Sequence, residues 1–165
     1  MASRKQNSML TEGAAAPEFK LRDLSGQERT RSEISGGHPV LLAFFKVACP
    51  TCQYTFPFLE RLYQNRANRD IAMFAISQDD AESTREFHQE FGITLPTLLD
   101  SEDENYPASN AYGLSHVPSL FLVEPDGKIS LSLMGFDKKG MEKLGQRLGA
   151  EPFAPGEYVP EWKSG

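Results

Sequence analysis

Cysteine is scarce in this 165-residue chain: only Cys49 and Cys52 are present, inside FFKVACPTCQYTFPFLERL, Phe44 to Leu62. Two cysteines three apart close no long loop, so they make a poor structural staple. Histidine is scarce too, with His38, His88 and His116. A tetrahedral zinc site needs four ligands, and without a second Cys-x-x-Cys no metal is expected. No run of basic residues stands out among 17 Lys and Arg against 23 Asp and Glu, and a net charge of -6 offers a nucleic-acid backbone little. The longest apolar runs match one buried strand and fall far short of a membrane span. The N-terminus has Arg4 and Lys5 without an apolar stretch behind them, which is not an intact signal peptide. The expectation is a cytoplasmic protein as the sequence stands, or a periplasmic or otherwise extracytoplasmic one if an export segment has been removed.

What is present reads as one domain with an ordinary core, at 39% hydrophobic and 24% charged residues. Residues 1–12 are expected to be a flexible N-terminus, 13–149 a single folded domain, and 150–165 a Pro-rich tail without regular structure. Phe19, Leu21 and Leu24 alternate up to Ser25-Gly26, which predicts a hairpin ending near Thr30. Val40 to Phe45 is apolar at every position, as in a strand covered on both faces. A helix is predicted straight after it, with Pro50 in its first turn, where a missing N–H is harmless, and Pro57 as an internal kink. Ile71 to Ile76 is a second buried strand. Asp79 or Asp80 caps the next helix, which Gly92 ends. After an extended piece at 95–100 comes an acidic loop, Asp100 to Glu104, expected to be solvated. A brief helix over 107–112 follows, then an apolar strand headed by Pro118. Glu124-Pro125-Asp126-Gly127 turns into an alternating strand at 129–133, and Asp137 opens the last helix. Phe44, Phe45, Phe56 and Phe58 are expected in the core, and Phe153, Tyr158 and Trp162 are expected to pack back on the domain. This order predicts an α/β fold: a mixed sheet with helices on both faces.

Cys-x-x-Cys serves metal, structural and redox uses alike, so its surroundings have to decide. At the end of a buried strand and the start of a helix, Cys49 stands where backbone N–H groups lack intrahelical partners. Thiols so placed have pKa values lowered from about 8.5 to roughly 3.5–7.5, which favours the reactive thiolate. Lys46 is a candidate source of further positive charge. Cys52, one turn deeper, reaches Cys49 but is better buried. Cys49 is therefore the expected attacking thiol, and Cys52 the one that resolves the mixed disulfide.

Together these elements resemble a thioredoxin-fold thiol–disulfide oxidoreductase of the TlpA/ResA-like branch that borders the peroxiredoxins. The resemblance covers about residues 13 to 149. It rests on the strand running into Cys49-Pro50-Thr51-Cys52, on Pro57 and on Val117-Pro118. The Glu124-to-Lys128 turn and the opening Ala16-Pro17-Glu18-Phe19 complete it. It implies a cis Pro118 beside the cysteine pair, and a Val117 backbone that offers strand-like hydrogen bonds to a partner. Substrate-binding residues are thus expected at Val117 and Pro118, with Lys46, Pro50 and Thr51 tuning the thiols. No cofactor beyond the Cys49–Cys52 disulfide is implied. The implied partners are proteins or small molecules carrying thiols or disulfides, and a monomer is expected.

Three positions depart from the branch. Ala48 stands where it usually has Trp, Ala43 where thioredoxins bury an Asp, and Thr55 where ResA-like proteins carry a helix Glu. Lys46, Asp79 or water is left to take the proton of Cys52. Two rival readings follow. One is a thiol peroxidase that attacks peroxide with Cys52 and resolves with Cys49, although Phe45 replaces that family's proline seven residues earlier. The other is a non-catalytic binding module on the same scaffold. His116, two residues before Pro118, reads as a solvated loop residue.

Overall fold

The computed structural model describes residues 8–165. Lys20–Asp23 (β1) and Glu28–Thr30 (β2) form the expected hairpin. The Asp23 carboxylate closes its turn by accepting from the Ser25 and Gln27 amides at 2.9 and 3.0 Å. Next comes a short helix that apolar spacing does not predict, Arg31–Ser35 (α1). Its signal is the capping box Thr30-x-x-Glu33, in which each side chain accepts from the other residue's backbone N–H.

Val40–Phe45 (β3) is buried at all six positions and leads to Pro50–Asn65 (α2), which runs unbroken through Pro57. Ala72–Ser77 (β4) is followed by Ala81–Phe91 (α3), whose cap is Asp80, accepting from the Ser83 amide at 2.8 Å. Then come Thr97–Leu99 (β5), Pro107–Ala111 (α4), Ser119–Val123 (β6) and Ile129–Met134 (β7). Phe136–Asp137 (β8), Lys138–Leu148 (α5) and Trp162–Lys163 (β9) complete the order.

Among the described residues, seven strands form one mixed sheet in the order β2-β1-β5-β4-β3-β6-β7. Strand β3 lies parallel to β4 and antiparallel to β6, so it has hydrogen-bonded neighbours on both sides. This central place explains its solid apolar run. Leu41, Ala43 and Phe45 face a layer that contains Phe56, Leu59 and Leu62 of α2 and Met141, Leu144 and Leu148 of α5. Val40, Leu42 and Phe44 face the other layer, with Phe19, Ile34, Ala108 and Tyr112. Fully burying one such large side chain is worth about 1.5–3 kcal/mol, so both layers hold the strand that delivers the cysteines. Phe44, Phe45, Phe56 and Phe58 are all core residues, as expected.

Three segments differ from the sequence reading. Residues 1–7 lie outside the described ones, but the remainder of the expected flexible N-terminus is tied to the domain. The Leu10 amide donates to the Tyr112 carbonyl at 3.1 Å, and the Leu10 carbonyl accepts from Ser132 Oγ at 2.7 Å. Asp100 is not a solvated loop residue. It is fully buried, and its carboxylate accepts from the Ala108 and Ser109 amides at 2.9 and 2.7 Å, satisfying the open end of α4. The tail does contain regular structure, since β9 pairs antiparallel with β8. Of its aromatic residues, Phe153 packs on the core beside Phe58, 5.2 Å between ring centres, whereas Tyr158 is 89% exposed.

Candidate functional site

The first turn of α2 places the two cysteines in different surroundings. Cys49 is the N-cap residue, extended and half-buried, and its Sγ accepts from the Cys52 amide at 3.1 Å. The Cys49 thiol also meets the Val117 carbonyl oxygen at 3.4 Å. Cys52 is fully buried among the apolar residues of α2 and β3. Both thiols are free. Burial pushes the Cys52 thiol far above the ordinary range, and its hydrogen bond with Cys49, the Cys49 charge and the Asp79 carboxylate act in the same direction. A backbone hydrogen bond from Lys46 opposes them.

Loops from distant parts of the chain close the site. The Val117–Pro118 peptide bond is cis, and Pro118 is buried beside the half-buried Val117. On the other flank, Asp79 turns away from capping duty, and its carboxylate accepts from the Val47 amide at 2.8 Å. Gln53 Nε2 donates to the Val47 carbonyl at 2.9 Å, which fixes the 46–48 segment between β3 and α2. Thr55, where the branch has its helix Glu, is buried, and its hydroxyl donates to the Thr51 carbonyl at 2.7 Å. It has no spare basic group to offer Cys52.

The remaining expected site residues are less uniform. Pro50 is the exposed first residue of α2. Thr51 is buried, and its hydroxyl donates to the Ser164 carbonyl at 2.6 Å, so it faces the tail. Lys46 is exposed and lines a polar cavity of about 220 Å³ with Gln78, Tyr106, Asn110, His116 and Val117. His116 is exposed, in line with the solvated-loop reading, and its Nδ1 lies 2.9 Å from Ser115 Oγ. Thus Cys49, Cys52 and Val117 converge directly, with Pro118 adjoining Val117. Lys46 stands at the margin. Asp79 and Ser164 belong to the neighbourhood as well. Asp79 was legible as one of two adjacent acids, whereas Ser164 carries no local signal.

Among the described residues, no group of three or more His, Cys, Asp or Glu side chains is placed to hold a metal ion, and no helix is long and apolar enough to cross a membrane.

Known proteins resemble this chain in sequence and in fold. The family model described as "AhpC/TSA family" matches residues 13–132. Thiol-disulfide oxidoreductase ResA of Geobacillus thermodenitrificans is 29% identical over 124 residues, which span 74% of this chain and 69% of that protein. Among solved structures, the thioredoxin domain of a thiol-disulfide oxidoreductase from Bacteroides vulgatus superposes with a TM-score of 0.73 at 22% identity. It covers 84% of this chain and 97% of that one. A disulfide oxidoreductase of Mycobacterium tuberculosis, described as secreted and homologous to E. coli DsbE, gives a TM-score of 0.64 at 19% identity. Coverage there is 79% of this chain and 94% of that one. These likenesses bear out the thioredoxin fold and a thiol–disulfide oxidoreductase activity, which implies partners that carry thiols or disulfides. The chain belongs to the AhpC/TSA family, on its TlpA/ResA-like thiol–disulfide oxidoreductase side.

Proposed function

We propose that Cys49 is the attacking thiol and Cys52 the resolving one, and that the partner's polypeptide docks along Val117. The observation that carries this reading is the contrast in burial between the two thiols, with the half-buried Cys49 sulfur accepting from the Cys52 backbone amide at 3.1 Å. In the reducing direction, the Cys49 thiolate attacks one sulfur of a partner disulfide. A mixed disulfide forms, the partner's S–S bond breaks, and the leaving thiolate takes a proton. Cys52 then gives up its proton and attacks the Cys49 sulfur. The Cys49–Cys52 disulfide forms, the second partner thiol departs, and two electrons have passed to the partner. The same steps reversed oxidise a dithiol. No cofactor enters this scheme.

Asp79 is the proposed acceptor of the Cys52 proton, because it is the carboxylate that acts on that thiol while Lys46 projects into solvent. The peroxidase alternative would need Cys52 as an accessible thiolate, and its burial opposes this. An extracytoplasmic setting is the proposed location, supported by the M. tuberculosis structure described as secreted.

The test is trapping with reduced insulin-free enzyme added to oxidised insulin and resolved on a non-reducing gel. Cys52→Ser should accumulate a mixed disulfide with insulin, and Cys49→Ser should not. Trapping by Cys49→Ser alone would reverse the assigned roles.

A further inference from the structure

The tail divides at Pro160. Before it, Val159 and Pro152 are buried, and Arg61 holds the segment through Glu157 at 2.8 Å and the Pro152 carbonyl at 2.8 Å. After it, every residue from Glu161 to Gly165 is exposed. Yet this second part runs directly past the reactive turn. The Lys138 amide donates to the Glu161 carbonyl at 3.0 Å, and Trp162 Nε1 donates to the Met134 carbonyl at 3.2 Å. Thr51, between the two cysteines, holds the Ser164 carbonyl at 2.6 Å. Gly165 lies so close over Val117 that a Cβ there would collide with the carbonyl that also meets Cys49 Sγ. Gly135, at φ +72°, likewise leaves no room for a Cβ against the Lys163 carbonyl, and its own amide donates to Pro118 at 2.8 Å.

We propose that residues 161–165 are an intramolecular strap occupying the groove between Thr51, Val117-Pro118 and Gly135, where an extended protein partner would otherwise lie. The inference rests on the oxidoreductase reading above. An extended partner bound by strand addition needs main-chain positions beside Val117, and the strap already fills them. Cys49 stays half-exposed with the strap in place, so a small disulfide reaches it while a polypeptide must first displace the strap. Displacement is feasible on physical grounds. No residue of the segment is buried, and exposed units of this kind open locally well before the fold does. The buried Val159 just before Pro160 supplies the hinge point from which it swings.

The experiment compares wild type with a chain ending at Pro160 and with Trp162→Ala, each assayed for reduction of insulin and of oxidised glutathione. A groove open about one-fifth of the time binds a polypeptide about fivefold more weakly, so the shortened chain should reduce insulin about fivefold faster while its rate with oxidised glutathione stays within about twofold. Trp162→Ala should fall between, and it decides by the same ratio of rates if the shortened chain melts early. An unchanged or lower insulin rate, with glutathione still reduced, overturns the strap but leaves the proposed function standing. An equal rise with both probes also overturns it, since the tail would then shield Cys49 without regard to size. Wild type that reduces neither probe and also fails to oxidise reduced insulin would instead sink the proposed function, and the strap with it.

Discussion

The inner and outer sides of the first α2 turn share four residues of sequence and almost nothing else. On the inner side, Cys52 sits in a closed layer where Phe56 packs on Phe45 at 4.5 Å and on Phe87 at 5.7 Å. On the outer side, Cys49 faces a carbonyl from a loop 68 residues away and a tail that reaches Thr51 from 113 residues away. The inner side is held by dispersion and the exclusion of water. The outer side is held by hydrogen bonds that solvent can replace. A redox pair needs both: one thiol kept back until a mixed disulfide brings the second sulfur to it, and one that partners can reach.

That contrast can be broken most severely from within. Phe56→Ala empties the layer behind Cys52 and should destabilise the protein by about 3–5 kcal/mol in urea denaturation. A loss below about 1 kcal/mol would mean the inner layer is not close-packed. Next in size is the proton route. Asp79→Asn should slow resolution of the mixed disulfide about a hundredfold in stopped-flow measurements, the usual range for losing a general base. Attack by Cys49 should be little changed, and equal slowing of both steps would assign Asp79 to positioning the 46–48 segment.

Smallest is a dependence on pH. Burial raises the Cys52 thiol in the folded protein above its unfolded value, so this contribution to stability is complete below that unfolded value and declines as pH rises past it. The reduced protein should therefore lose up to about 1.4 kcal/mol per pH unit above about pH 8.5 relative to Cys52→Ser. Parallel denaturation curves for the two proteins from pH 7 to 10 would show that Cys52 is not buried as a neutral thiol.

The inner side was the more legible in the sequence. Six consecutive apolar residues after Gly36-Gly37-His38-Pro39 read as a short strand covered on both faces, and Pro50 and the helical spacing of Phe56, Leu59 and Leu62 place the cysteines at a helix start. The capping box of α1 was equally local and is readable as Thr30-x-x-Glu33. Asp100 misleads because it heads an acidic run. Only the turn between β5 and α4 brings the Ala108 and Ser109 amides to its carboxylate. Strand β9 has two residues, too few for any periodicity, and its partner β8 lies across the intervening α5 in sequence.

The sequence by itself determined the strand, the helix start, the reactive pair and its order of depth, because each follows from short-range spacing and from where apolar residues must go. Only the tertiary structure decided what surrounds that pair. Val117, Asp79 and Ser164 reach it through chain reversals whose ends are set by packing, and a hydrogen bond to a distant carbonyl leaves no periodic trace in either segment.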